Sequence, residues 1–62
     1  MSVTGLALAR WKGIKVKLPD WKDSEAFTPQ TNSDVMLTGP DKYGQMVGVM
    51  SSKVADLVEV KS

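Results

Sequence analysis

The chain has 62 residues, eight Lys or Arg against seven Asp or Glu, and neither Cys nor His. Disulfides and zinc sites of the Cys/His type are thereby excluded, and the commonest general base and the strongest nucleophile are missing. No apolar run approaches the roughly 20 residues needed to cross a bilayer, so no membrane partner is expected.

Sixty-two residues make one domain, residues 1–62. A chain of this size buries only about 60% of the surface its unfolded form exposes. Small domains make up the deficit with disulfides, a metal or a partner, and here a partner or a homo-oligomer is the device left. The near-neutral total hides an asymmetry. Residues 1–22 carry Arg10, Lys12, Lys15, Lys17 and Lys22 against Asp20, net +4, while residues 23–62 are net −3. Such a division suggests a basic face that meets something acidic, although Lys on the wet face of a strand also blocks edge pairing.

In chain order, residues 2–9 (SVTGLALA) alternate weakly, with Leu6 and Leu8 on one face. They are expected to form an edge strand or an extended N-terminal arm, residues 1–10. A short helix over residues 6–11 is the alternative, and it needs packing to persist. The arm has no basic region ahead of its apolar stretch, so it does not read as a signal peptide. Residues 11–13 form a turn. Ile14, Val16 and Leu18 then alternate with Lys15 and Lys17, which predicts a half-buried strand over residues 13–18. Pro19 ends it. Asp20 is placed to cap one helical turn reaching Glu25. Trp21 and Phe27 read as satellite core residues, and residues 28–33 as loop.

Residues 35–50, VMLTGPDKYGQMVGVM, are the stretch around which the rest is organised. They predict a β-hairpin with Pro40 and Asp41 at the centre of its turn. Val35 and Leu37 share one face of the first strand, and Val47 and Val49 one face of the second. Gly48 lies on the opposite face between Met46 and Met50, where it marks a bulge, a bend or a close approach. After the hairpin, residues 51–55 form a single turn and residues 57–61 a last short strand.

Four or five short strands joined by turns suggest a small closed barrel. The segment GVMSSKVADLVEV, from Gly48, resembles the closing segment of Src-homology-three-like (SH3-like) barrels, where a Gly-containing strand leads to one helical turn and a final strand. The family pattern is roughly G-x-x-P-x-N-Y-V. Here Ser51 stands for the Pro, Lys53 for the Asn, Val54 for the Tyr and Ala55 for the Val. The resemblance implies an all-β, four- to five-stranded SH3-like barrel over residues 13–62 with one short helical turn. The aromatic pair that grips proline-rich peptides is absent, so proline-motif recognition is not implied. In size, composition and β character the chain also resembles small capsid-decoration and other virion accessory proteins of tailed phages. That resemblance implies a virion component; a cellular protein of this kind would be cytoplasmic.

The inventory of chemistry points to a non-enzyme with no cofactor, metal or small-molecule substrate. Ser51, Ser52 and Lys53 are adjacent, but a nucleophile needs a positioned base and not a neighbour in sequence. GPDKYG and GQMVG lack phosphate-loop spacing, and Asp34, Asp41 and Asp56 lack calcium-loop spacing. Two binding classes remain. A structural or adaptor subunit docking on a larger protein assembly fits the short core and the adaptable Met36, Met46 and Met50. A nucleic-acid-binding barrel would use RWKGIKVK, with Trp11 and Trp21 stacking on bases and Lys15 and Lys17 on phosphates. The sequence pI of about 8.0 lies below the value above 9 typical of dedicated nucleic-acid binders, which favours the first class. The interface candidates are Leu6, Leu8, Arg10, Trp11, Lys12, Lys15, Lys17, Trp21 and Tyr43.

Overall fold

A computed structural model describes residues 2–61. The N-terminal segment is a helix and not an extended arm: α1 spans Val3–Trp11. The Ser2 hydroxyl accepts the Gly5 N–H at 3.0 Å and caps the first turn. At the other end Lys12 N–H donates to the Leu8 carbonyl, and Gly13 follows with φ +78°, the left-handed stop that glycine adopts without penalty. Thr4, Ala7, Leu8 and Trp11 recur at helical spacing and turn inward. This packing supplies the stability that so short a helix lacks alone.

The strands are β1 (Val16–Lys17), β2 (Thr31–Asn32), β3 (Met36–Pro40), β4 (Met46–Met50) and β5 (Val58–Glu59). They form two antiparallel sheets, β1–β5 and β2–β3–β4. In the larger sheet Leu37 lies opposite Val49, Thr38 opposite Gly48 and Met36 opposite Met50. In the smaller, Val16 faces Glu59 and Lys17 faces Val58. Phe27 connects the two through single bridges to Val16 and to Asp41. The sheets do not close on each other, so the closed all-β barrel expected from the sequence is replaced by a mostly β fold with an open edge and one helix.

The core is Ala7, Val16, Phe27, Leu37, Val49, Val54 and Leu57, with Leu8, Trp11, Ile14, Leu18, Trp21 and Val47 packed around it. The alternation of Ile14, Val16 and Leu18 is therefore realised, with Val16 at its centre. Phe27 is main core and not a satellite. Val35, exposed at 64%, lies before β3 and not on its inner face.

The hairpin forms, but its turn is two residues later than expected. β3 runs through Pro40, whose carbonyl accepts Thr28 N–H at 3.0 Å. The turn is centred on Lys42 and Tyr43. Asp41 Oδ1 accepts the N–H groups of Tyr43 and Gln45 at 2.8 and 2.9 Å, and Gly44 takes φ +81°. The Asp side chain and a left-handed glycine together define this turn more strongly than Pro40 does.

Two other expectations change. The polar stretch 28–33 contains β2, held to β3 by backbone pairing and by a Thr31–Thr38 hydroxyl contact of 2.6 Å. Asp20 does not cap a helical turn. The short 3₁₀ turn Asp23–Glu25 follows Lys22, whose N–H donates to Glu25 Oε1 at 2.8 Å. A second 3₁₀ turn, Val54–Asp56, joins β4 to β5, later than the single turn expected over residues 51–55, and the last strand is confined to Val58–Glu59 within the expected 57–61.

Candidate interaction surfaces

On α1, Val3, Leu6 and Arg10 recur on a stripe beside the inward one. With Trp11 they form one wall of a groove of about 260 Å³, and Val54, Ala55 and Leu57 form the other. Leu6 is 57% exposed, and Val3 equally so. Among the described residues, Arg10 is the single charged side chain lining the groove. Its guanidinium lies 4.7 Å from the centre of the Trp11 ring, a cation–π contact that holds the charge at the rim.

A second recess is lined by Trp21, Ser24, Glu25, Asp41, Tyr43, Gln45 and Val47. Tyr43 stands exposed at the tip of the hairpin with Lys42 Nζ 5.2 Å from its ring. Glu25 and Asp41 are both on the wall, but Asp41 Oδ1 already accepts two backbone N–H groups and Glu25 Oε1 accepts one. Both carboxylates serve local turns.

The nine candidate residues therefore separate. Leu6, Arg10 and Trp11 meet on the α1 groove, and Trp21 and Tyr43 on the recess. Leu8 packs against the core. Lys12 is exposed just after α1, and Lys15 is half-buried. Lys17 is turned inward: its ammonium donates to the Trp21 carbonyl at 2.7 Å and pairs with Asp23 at 3.1 Å. The Trp21 ring is tilted 49° against Phe27 with centroids 6.3 Å apart. The basic run RWKGIKVK thus has Lys17 engaged in internal contacts, and Trp11 and Trp21 both pack against the core.

Val3, Val54 and Ala55 were not among the interface candidates read from the sequence. The signal was the spacing of Val3, Leu6 and Arg10, legible only once the segment is taken as a helix. Among the described residues no group of three or more Asp, Glu, His or Cys is placed to hold a metal ion, and no helix is long and apolar enough to cross a membrane. No family model, curated protein or solved structure matches the chain.

Proposed function

We propose that the protein is a non-enzymatic structural subunit that docks on a larger protein assembly through the groove between α1 and the Val54–Asp56 turn. The observation that carries this reading is the exposed apolar stripe of Val3 and Leu6 beside an apolar wall of Val54 and Ala55, with one charge at the rim. Exposed apolar side chains edged by a cation suit burial against a partner. The resemblance to small capsid-decoration proteins suggests a viral particle as that assembly. The connection of β4 through a 3₁₀ turn to β5, which returns to β1, supports reading the scaffold as an opened SH3-like fold.

The test is co-sedimentation with the large particles of the source. Labelled wild-type chain is expected in the particle fraction. Leu6→Asp puts a charge in the groove, and it is expected to lose most of that recovery while keeping the wild-type melting curve, because Leu6 lies on the surface. Equal recovery of the two chains refutes docking through this groove.

A further inference from the structure

The free edge of the larger sheet is β4. The opposite edge, β2, is covered: α1 lies against it, and Thr4 of α1 bonds to Asn32 and to Ser33. Asp41 N–H donates to the Gln45 carbonyl, and Ser51 N–H to the Val35 carbonyl. These two bonds fix the parity of the β3–β4 ladder, because hydrogen-bonded and non-bonded pairs alternate. Val47 and Val49 turn their backbone groups toward β3. Met46, Gly48 and Met50 turn theirs outward. The matching parity holds on β3, where the carbonyls of Met36, Thr38 and Pro40 face away from β4 and accept from Ser33, Gln30 and Thr28. Among the described residues, the outward N–H groups of Met46, Gly48 and Met50 have no backbone partner.

The edge sequence is Met46-Val47-Gly48-Val49-Met50, a palindrome about Gly48. It carries no charge, no Pro and no Lys, the devices with which edge strands repel another strand. We propose that β4 pairs with β4 of a second copy of this chain, antiparallel, about a two-fold axis through Gly48. A two-fold contact requires one surface to be complementary to itself, and this strand reads the same from either end. In that register Gly48 faces Gly48 of the second copy and exchanges two backbone hydrogen bonds with it. Met46 faces Met50 of the second copy, and Met50 faces Met46, each pair exchanging two more. The Met50 carbonyl already accepts Lys53 N–H at 2.8 Å, and its second lone pair remains for this bond.

The side chains agree with the backbone. Met46 and Met50, 64% and 61% exposed, would meet across the seam as thioether pairs that adapt to each other's shape. At the axis itself no side chain stands on the seam, and the Met36 methyl lies where a Gly48 side chain would begin. On the inner face, half-buried Val47 is brought beside Val49 of the second copy. The product is a continuous six-stranded sheet, ordered β2–β3–β4–β4–β3–β2, whose two ends are both covered by α1. A partner strand of another protein would have no reason to match this palindrome. The α1 groove takes no part in the seam.

The test uses the full chain and three reporters: mass by light scattering over a range of concentrations, amide exchange, and paired substitutions. The wild type is expected to reach twice the 6.7 kDa of one chain and no more. Its Met46, Gly48 and Met50 amides are expected to exchange about tenfold more slowly than in a monomeric variant. Met46→Lys with Met50→Lys puts like charges opposite each other at both ends of the seam. That variant is expected to be monomeric, with fast exchange at the three even-numbered positions and unchanged protection at Val47 and Val49, which shows the fold intact. Met46→Glu with Met50→Lys puts opposite charges face to face in this register and is expected to restore the dimer. Leu6→Asp is expected to leave the dimer intact, so failure of groove docking and failure of edge pairing are read separately. A wild type that stays at one chain at every concentration overturns the proposal. So does a mass that grows past two chains, or a Lys/Lys variant as dimeric as the wild type. Failure of the Glu/Lys variant to restore the dimer overturns the register.

Discussion

The hydroxyl of Thr4 donates to the carbonyl of Ser33, 29 residues further along the chain, and Thr4 is wholly buried. The same oxygen accepts from Asn32 Nδ2 at 3.3 Å. One buried threonine thus fastens α1 across the end of β2, and its own buried hydroxyl is satisfied in doing so. Thr4→Val keeps the shape and removes the bonds. It is expected to cost about 1–3 kcal/mol, read from urea denaturation, with Thr4→Ser recovering most of the loss. Wild-type stability in Thr4→Val would show that the fastening contributes nothing.

Gly39 and Gly48 both lie in the β3–β4 hairpin but differ in what surrounds them. A Cβ on Gly39 would run into the Thr28 carbonyl, backbone that is pinned by the bond from Thr28 N–H to Pro40. A Cβ on Gly48 would clash with the terminal methyl of Met36, which can swing aside, and would otherwise touch Thr38 Cγ2 and the Met36 sulfur at ordinary contact distance. Gly39→Ala is expected to destabilise by about 3 kcal/mol, and Gly48→Ala by less than about 1 kcal/mol. Thermal melts of the two variants decide it; equal losses would contradict the difference in surroundings.

Val49 is 3% exposed at the centre of the core, whereas Val47 lies at its rim. A carboxylate in place of Val49 has no partner and no access to water. Val49→Asp is expected to abolish the cooperative melt seen by circular dichroism. Val47→Asp is expected to lower the melting temperature and leave a folded protein, since a carboxylate there can reach solvent. The reverse order would mean that the inner face of β4 is misplaced.

Lys17 is expected to act as a structural cation. Lys17→Met removes the donor to the Trp21 carbonyl and should cost about 1.5–3 kcal/mol, as hydrogen bonds to charged groups do. Asp23, 78% exposed in its side chain, holds the other contact. Asp23→Asn should cost no more than about 1 kcal/mol, as exposed ion pairs do. Oligonucleotide binding that falls on Lys17→Met at unchanged stability would instead return this lysine to phosphate contact.

The parts of the fold legible in the sequence are those where alternation and burial coincide. Leu37 and Val49, opposite each other in the hairpin, and Val16 between Ile14 and Leu18 are of this kind. So is the turn from β4 into β5. The helix was harder to read because its inward stripe begins with Thr4, a polar residue whose burial depends on partners in residues 32 and 33. β2 was hidden because Thr31 and Asn32 are both exposed and polar, so hydrogen bonds and not an apolar alternation define it. Of the candidate surface, Leu6, Arg10 and Trp11 were named from the sequence, but as parts of an arm and a basic run. Their meeting with Val54 and Ala55 is a product of tertiary packing. The palindrome of β4 was present in the sequence throughout; its meaning depends on which edge α1 leaves uncovered.

Phe27 gives its N–H to Val16 and accepts from Val16 in return, at 3.0 and 2.9 Å, and it also bridges to Asp41. Its ring is buried in the core. A slip of one residue between Phe27 and Val16 would turn that ring to solvent and displace the bridge to Asp41 in the other sheet. A pairing error in the smaller sheet is therefore felt at once in the larger. Through one shared residue the two sheets proofread each other, which gives a chain without cysteine a single strand alignment to settle into.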